Sequence, residues 1–200
     1  ERLGDWTGFA TDRLGMQLAD RARDAAVLRM DERRARVIVH DDGQRGFFGW
    51  EGVDRDRLDR VADVLDGVGI GVRSLTAAEC AIRAVQEGLR FADPSGNRIE
   101  VVVGPECADT PFAPGRTHSG FRTGTLGLGH AVLTTPHYDA LVAFYTDVLG
   151  FRLSDFTTAP FRATFLRLNA RHHSLAIIET DRVGVHHLMI EANHFDDVGQ

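Results

Sequence analysis

Two pairs of neighbouring histidines lie close together in the segment RHHSLAIIETDRVGVHHLMIE, residues 171–191. The chain has nine histidines in 200 residues, and four of them, His172, His173, His186 and His187, fall in this segment. Neutral imidazoles on adjacent strands are natural ligands for a first-row divalent metal, and a histidine near its ordinary pKa also transfers protons. The segment therefore points to a metal site or to an acid/base site.

A fifth histidine, His130, stands in the middle of the apolar segment LGHAVLT. An imidazole buried among apolar side chains without a partner carries a desolvation cost, which favours a functional partner there. Side chains alternate between the two faces of a strand, so we expect each histidine pair to contribute at most one ring to a shared cavity. His130 and His187 could then face each other across a curved sheet and bind one ion. A solvated or hydrogen-bonded imidazole is the ordinary alternative at each position.

A two-histidine site for non-haem Fe(II) needs a carboxylate as its third ligand. Glu191 is the nearest candidate, but at about 3.3 Å per residue it lies roughly 13 Å along the strand from His187. One ion cannot bind both side chains. Glu100, in the segment NRIEVVV, is more simply explained as a strand carboxylate, because its part of the chain has no histidine placed like His187.

An internal repeat indicates the elements that carry these histidines. The matching segments are FATDRLGMQLAD (9–20) with FYTDVLGFRLSD (144–155), VLRMDERRARVIV (27–39) with FLRLNARHHSLAI (165–177), and FFGWEGVDRD (47–56) with HLMIEANHFD (187–196). Three matches in the same order indicate a duplicated domain. The repeat aligns His187 with Phe47 and His173 with Ala35, so the scaffold itself does not require histidine at these positions.

Each copy has the same order of predicted elements. Apolar residues recur at helical spacing in 137–149 and in 54–66, and a glycine follows each segment. LGHAVLT, FLRL, HHSLAII and VHHLMIE are typical of strands. The order predicts an α+β protein of duplicated domains, each a pair of βαβββ modules. We expect domains at 1–118, lacking its first strand, and at 125–200, lacking its C-terminal half, joined by a segment rich in Gly and Pro.

The composition excludes several classes of protein. A net charge of -6 with interspersed signs leaves no basic stripe for nucleic acid, so we expect no nucleic-acid partner. The longest apolar runs are too short to cross a bilayer, so we expect no membrane partner. Cys80 and Cys107 have no metal-site spacing, and two thiols predict a reducing, cytoplasmic location.

Several motifs resemble one known family. GLGHAVLTTP, FYTDVLGFRLSD, NARHHSLAII and VHHLMIEANHFDDVG are together similar to the type I extradiol catechol dioxygenases, in particular the 2,3-dihydroxybiphenyl 1,2-dioxygenase group of the vicinal oxygen chelate superfamily. FADPSGNRIEVVVG resembles the non-catalytic N-terminal domain of that family. The resemblance implies the vicinal oxygen chelate fold, also described as glyoxalase/bleomycin resistance-like, with 125–200 in the catalytic domain.

The resemblance also implies roles for single residues. It makes His130 and His187 ligands of Fe(2+), with Mn(2+) less favoured, and His173 the acid/base histidine of the pocket. The third metal ligand, a glutamate, is expected beyond residue 200. By strand alternation, His172 and His186 are expected to be supporting or structural residues.

The implied reaction is the ring cleavage of a small-molecule catechol, with O2 as co-substrate, by a homo-oligomer. The expected substrate is 2,3-dihydroxybiphenyl or a substituted monocyclic catechol. Two alternatives stay open. One is a metal-dependent relative of the glyoxalase or fosfomycin-resistance type, and the other is a metal-free binding module of the same superfamily.

Overall fold

The computed structural model describes residues 2–41, 43, 46–52 and 54–199. The helices of this part are α1 (Arg2–Gly8, continued by the π-helix Phe9–Arg13), α2 (Arg55–Gly67), α3 (Ala77–Arg83) and α4 (Tyr138–Ala143, continued by the π-helix Phe144–Val148). The strands are β1 (Gln17–Arg21), β2 (Ala25–Arg29), β3 (Val37–His40), β4 (Phe47–Glu51), β5 (Arg73–Ser74), β6 (Glu87–Ala92), β7 (Arg98–Val103), β8 (Gly129–Thr135), β9 (Arg152–Thr157), β10 (Ala163–Arg167), β11 (Leu175–Glu179) and β12 (Gly184–Ile190). None of these helices is long and apolar enough to cross a membrane.

Two of the three sheets share one topology. The first has the order β4-β7-β6-β5, and the second has β8-β11-β10-β9 with β12 added beside β8. The opening strand of each unit lies parallel to its last strand, β4 beside β7 and β8 beside β11. A parallel pair requires a long crossover connection, which the helix and the two intervening strands supply. The predicted α+β fold of βαβββ modules is confirmed.

The internal repeat is visible in the coordinates. The third sheet, β1-β2-β3, corresponds to β9-β10-β11, and the two π-helices fall at matched positions of the repeat. Both copies also have an irregularity between the first two of these strands, at Leu18/Asp20 in one and at Phe165/Leu166 in the other. A shared local irregularity indicates that the copies descend from one module, because bulges are specific features of a fold.

The main hydrophobic core joins both predicted domains. Leu58 and Leu65 of α2 are buried in the same cluster as Leu133 of β8 and Leu141 of α4. Fully burying one leucine contributes roughly 1.5–3 kcal/mol, so this cluster is a major source of stability. It holds β8, the strand of His130, firmly in place. The division of the chain at 118/125 stays a prediction.

The prediction that HHSLAII forms one continuous strand was wrong. β11 begins only at Leu175, and His172 and His173 lie in the bend between β10 and β11. The side chain of Asn169 accepts a hydrogen bond from the backbone N–H of Arg171 at 2.9 Å, which stabilises a turn there. The segment LAII has residues that favour a strand, whereas His172, His173 and Ser174 before it do not, so the strand begins at Leu175.

Candidate functional site

The rings of His130 and His187 meet on adjacent strands. β8 and β12 pair antiparallel, and the Nε2 atoms of the two histidines are 3.3 Å apart. The structure therefore brings together the two residues that the sequence singles out as candidate ligands. Their function as ligands remains a prediction.

His173 completes a cluster of three imidazoles. Its ring stacks on that of His130, with centroids 4.1 Å apart and planes at 30°. On the other side it makes an edge contact with Phe165 of β10, at 5.0 Å between centroids. His173 thus lies between Phe165 and the candidate ligand His130.

Burial keeps two of these rings neutral. Desolvation, followed by repulsion from His173, His187 and Arg171, lowers the pKa of His130 to about 4. Desolvation is also the largest cause that lowers the pKa of His173, followed by the nearby His172 and Arg171. Both rings therefore carry a free nitrogen lone pair at neutral pH, which a metal ligand and a general base each require.

The expected alternation within each histidine pair was also wrong. The Nδ1 atoms of His172 and His173 are 3.0 Å apart, and those of His186 and His187 are 2.7 Å apart. The first pair lies in a bend, where strand alternation does not apply. The second pair lies at a bulge of β12, because the pairing with β8 shifts register between Val185 and His187. His173 and His187 therefore each have the imidazole of the preceding residue as a direct neighbour.

A cavity of about 310 Å³ opens beside the rings of His130, His172 and His173. The side chains that line it are Arg122, Leu126, His130, Arg171, His172, His173, Met189 and Glu191. The arginines, the leucine and the methionine were not predicted as lining residues from the sequence. Met189 could have been found from its position, since it lies two residues after His187 on β12.

Arg171 organises the far wall of the cavity. It is buried, and it donates hydrogen bonds to the Glu191 carboxylate at 2.5 Å and to the backbone carbonyls of Arg122 and Leu126. Arg122 also pairs with Glu191, at 3.0 Å. The hydrogen bond from Arg171 is the largest cause that lowers the pKa of Glu191. Glu191 is therefore committed to two guanidinium groups and does not approach the His130–His187 pair as a ligand.

No group of three His, Cys, Asp or Glu side chains suited to a metal ion occurs in the part of the chain that the structure describes.

The corresponding region of the first copy holds a guanidinium cluster. Phe47, which the repeat aligns with His187, lies under Arg83, whose guanidinium carbon is 4.3 Å from the ring centroid. Arg83 pairs in turn with the buried Glu100. In the first copy, the carboxylate of Glu100 therefore forms an internal ion pair.

Comparisons with known proteins agree with this architecture. Residues 127–200 match the Glyoxalase/Bleomycin resistance protein/Dioxygenase superfamily, and residues 2–41 match the dihydroxybiphenyl dioxygenase BphC D1 family. The biphenyl-2,3-diol 1,2-dioxygenase of Paraburkholderia xenovorans is 39% identical over 97% of this chain and 68% of its own length. An iron-dependent extradiol dioxygenase of Rhodococcus jostii is 37% identical over 88% of this chain and 63% of its own length.

A solved structure gives the same result. The crystal structure of BphC, a halotolerant catechol dioxygenase, superposes with a TM-score of 0.93 and 36% identity, covering 98% of this chain and 68% of that one. The match to the Paraburkholderia relative and the superposition both extend over nearly the whole chain. The resemblance predicted from the motifs is confirmed, and the chain belongs to the extradiol catechol dioxygenases of the glyoxalase, bleomycin resistance protein and dioxygenase superfamily.

Proposed function

We propose that this chain forms part of an extradiol dioxygenase that opens the ring of a catechol with O2 at an Fe(2+) ion bound by His130 and His187. The observation that carries the proposal is the 3.3 Å approach of their Nε2 atoms beside a cavity. A third ligand, a glutamate, is proposed beyond residue 200. The relative named as iron-dependent supports Fe(2+) over Mn(2+).

The two histidines fit a shared metal ion. Two nitrogens bound to one ion at about 2.1 Å, with roughly 100° between the bonds, are about 3.2 Å apart. The observed separation of 3.3 Å agrees with this value. The Nδ1 atom of His130 is buried and has no hydrogen-bond partner in the described part of the chain, so the Nε2 atom is the nitrogen available for bonding. The same separation would also suit a direct hydrogen bond between the rings, which is the metal-free alternative.

The cavity suits an aromatic diol. A volume of about 310 Å³ accommodates one or two aromatic rings, and Leu126 and Met189 supply apolar contact surface. Arg122 and Arg171 share the single carboxylate of Glu191, so this wall keeps a net positive charge, which favours an anionic catecholate. When bound, the metal ion would orient both hydroxyl oxygens of a catechol and the O2 molecule.

His173 is proposed as the acid/base group of the reaction. Its lowered pKa leaves the ring neutral at pH 7, so it can accept the proton of a catechol hydroxyl beside His130. Its contacts with His130 and Phe165 hold it beside the two proposed metal ligands. The proton that it takes up can later be returned to the ring-opened product.

Two further proposals concern the cell and the assembly. Cys80 and Cys107 are free thiols, which supports a reducing compartment such as the cytoplasm. The family resemblance supports a homo-oligomer. Light scattering of the complete gene product after size-exclusion chromatography tests the second proposal, and a monomeric mass would contradict it.

Oxygen uptake tests the proposed reaction. The complete gene product, loaded anaerobically with Fe(2+), is mixed with 2,3-dihydroxybiphenyl or 3-methylcatechol, and O2 consumption is recorded together with the yellow ring-opened product. We expect equimolar consumption of O2 and catechol, abolished in His130→Ala and His187→Ala. Activity should be unchanged in the control His137→Ala, because His137 is exposed at the start of α4 and does not line the cavity. A protein that binds the catechol without consuming O2 would support the binding-module alternative. Isomerisation or epoxide opening without O2 would support the glyoxalase or fosfomycin-resistance type.

A further inference from the structure

His186 is placed beside His187 by an irregularity of β12. Val185 pairs with Leu133 and His187 pairs with Val132, so one residue of β8 is opposed by two residues of β12 and His186 is the inserted residue. Regular strands send neighbouring side chains to opposite faces, whereas a bulge redirects them and often does so next to active sites. The rings of His186 and His187 accordingly lie 5.0 Å apart between centroids.

The contact between the two rings joins specific atoms. The Nδ1 atom of His186 is 2.7 Å from the Nδ1 atom of His187, a short and well-formed hydrogen-bond distance. A neutral imidazole has one N–H and one lone pair. If the Nε2 atom of His187 offers its lone pair to a metal ion, its proton must be on Nδ1 and must be donated to the Nδ1 atom of His186.

The environment of His187 makes this hydrogen bond matter. His187 is exposed, whereas His130 is half-buried and stacked on His173. Packing therefore limits the rotation of the His130 ring, but little packing limits that of His187. Metal-binding histidines usually donate their second ring N–H to a fixed acceptor, which sets both the tautomer and the ring orientation.

The first copy of the repeat carries neither member of this pair. Phe47 stands at the position of His187, and Gly46 precedes it at the position of His186. The same scaffold is thus built in the first copy without either imidazole. The pairing of two histidines is specific to the second copy, where the candidate site lies.

We propose that His186 is a positioning residue, which accepts a hydrogen bond from Nδ1–H of His187 and so holds the Nε2 atom of His187 toward the metal ion shared with His130. This inference rests on the proposed function, because it assigns a partner to one of the proposed ligands. It predicts that metal affinity depends on an acceptor at one atomic position of residue 186.

Three substitutions at residue 186 test whether an acceptor at the place of the imidazole Nδ1 atom holds the ring of His187. In His186→Asn the side-chain oxygen occupies the place of the imidazole Nδ1 atom, whereas in His186→Gln the oxygen lies one bond further out. His186→Ala has no acceptor. Co(2+) is titrated into the metal-free complete gene product, with its visible absorption as the signal, and His137→Ala serves as the control. We expect His186→Ala and His186→Gln to weaken Co(2+) binding about 10–100-fold, His186→Asn to stay within about threefold, and the control to match the parent.

The outcomes separate this inference from the proposed function. Thermal unfolding of each metal-free variant shows whether it is folded. If the alanine variant is unstable, the Co(2+) affinities of His186→Asn and His186→Gln still test the inference. If His187→Ala abolishes Co(2+) binding but all three variants of residue 186 bind like the parent, this inference is overturned and the proposed function stands. If the parent itself binds no Co(2+), both are overturned.

Discussion

Replacing Glu100 with glutamine removes the carboxylate at the centre of the guanidinium cluster in the first copy. Glu100 is fully buried in β7. It accepts hydrogen bonds from Arg83, one of them at 2.9 Å, and from Arg90 at 2.6 and 2.9 Å. The glutamine side chain can still accept a hydrogen bond, but the negative charge is lost. Arg90 then keeps its ion pair with the Glu79 carboxylate, whereas Arg83 keeps a hydrogen bond to the Glu79 backbone carbonyl and its contact with the Phe47 ring. The variant therefore leaves buried positive charge with less compensation.

The size of the effect follows from this burial. Removing one partner of a buried ion pair costs about 3–5 kcal/mol. Because Glu79 still compensates part of the charge, we expect about 3 kcal/mol for Glu100→Gln. At about 2–4 °C per kcal/mol for a chain of this size, the melting temperature should fall by roughly 6–12 °C.

The assay is chemical and thermal denaturation of the metal-free protein, with Glu51→Gln as the matched control. Glu51 also pairs with an arginine, Arg33, at 2.8 Å, but its side chain is 45% exposed. An exposed pair of this kind contributes at most about 1 kcal/mol. A loss for Glu100→Gln no larger than that of the control would refute the reasoning, because it would mean that water reaches the cluster. Metal affinity should be unchanged in both variants, since neither residue belongs to the proposed metal site.

Three further predictions concern the site and the core. Because the pKa of His130 is lowered to about 4, the unfolded chain binds more protons between pH 6.5 and 4, so the free energy of unfolding should fall as the pH drops through this range. NMR of the His130 ring in the metal-free protein should give a titration midpoint near pH 4, and a midpoint near pH 6.5 would contradict the burial of this ring. Tyr145→Phe removes the buried hydrogen bond to Asp93 and should cost about 1–2 kcal/mol in urea denaturation, whereas an equal stability would show that this hydrogen bond contributes nothing. His173→Gln should lower kcat by about 10²–10⁴-fold with metal affinity unchanged, and a normal kcat would exclude it as the acid/base group.

Much of the fold could be predicted because the sequence contains an internal repeat, so each pattern of helix and strands occurs twice. The helix expected at 137–149 is found as α4 and its π-helix, and the strands expected around His130 and His187 are β8 and β12. One helix was missed although its signal is present. Thr76 and Glu79 form a capping box at the start of α3, a spacing that can be recognised in sequence.

The local geometry of the histidines could not be predicted in the same way. Alternation along a strand assumes a regular strand, and the bulge at His186 depends on the pairing of β12 with β8. Likewise, the bend at His172 depends on a hydrogen bond that the Asn169 side chain accepts from the backbone N–H of Arg171. Both features arise from contacts between elements, which residue periodicity does not encode. The convergence of His130 and His187 was predictable because it needs only two adjacent strands.

The central claim is that His130 and His187 bind the same cation. The most direct test is Fe(2+) affinity under anaerobic conditions, measured by competition with a chromophoric chelator, for the parent, the two single alanine variants and the double variant of the complete gene product. Two residues that share one ion are strongly coupled, so each single substitution should lose nearly as much affinity as the double substitution. Additive losses, or a single variant that still binds one Fe(2+) with the affinity of the parent, would contradict the claim.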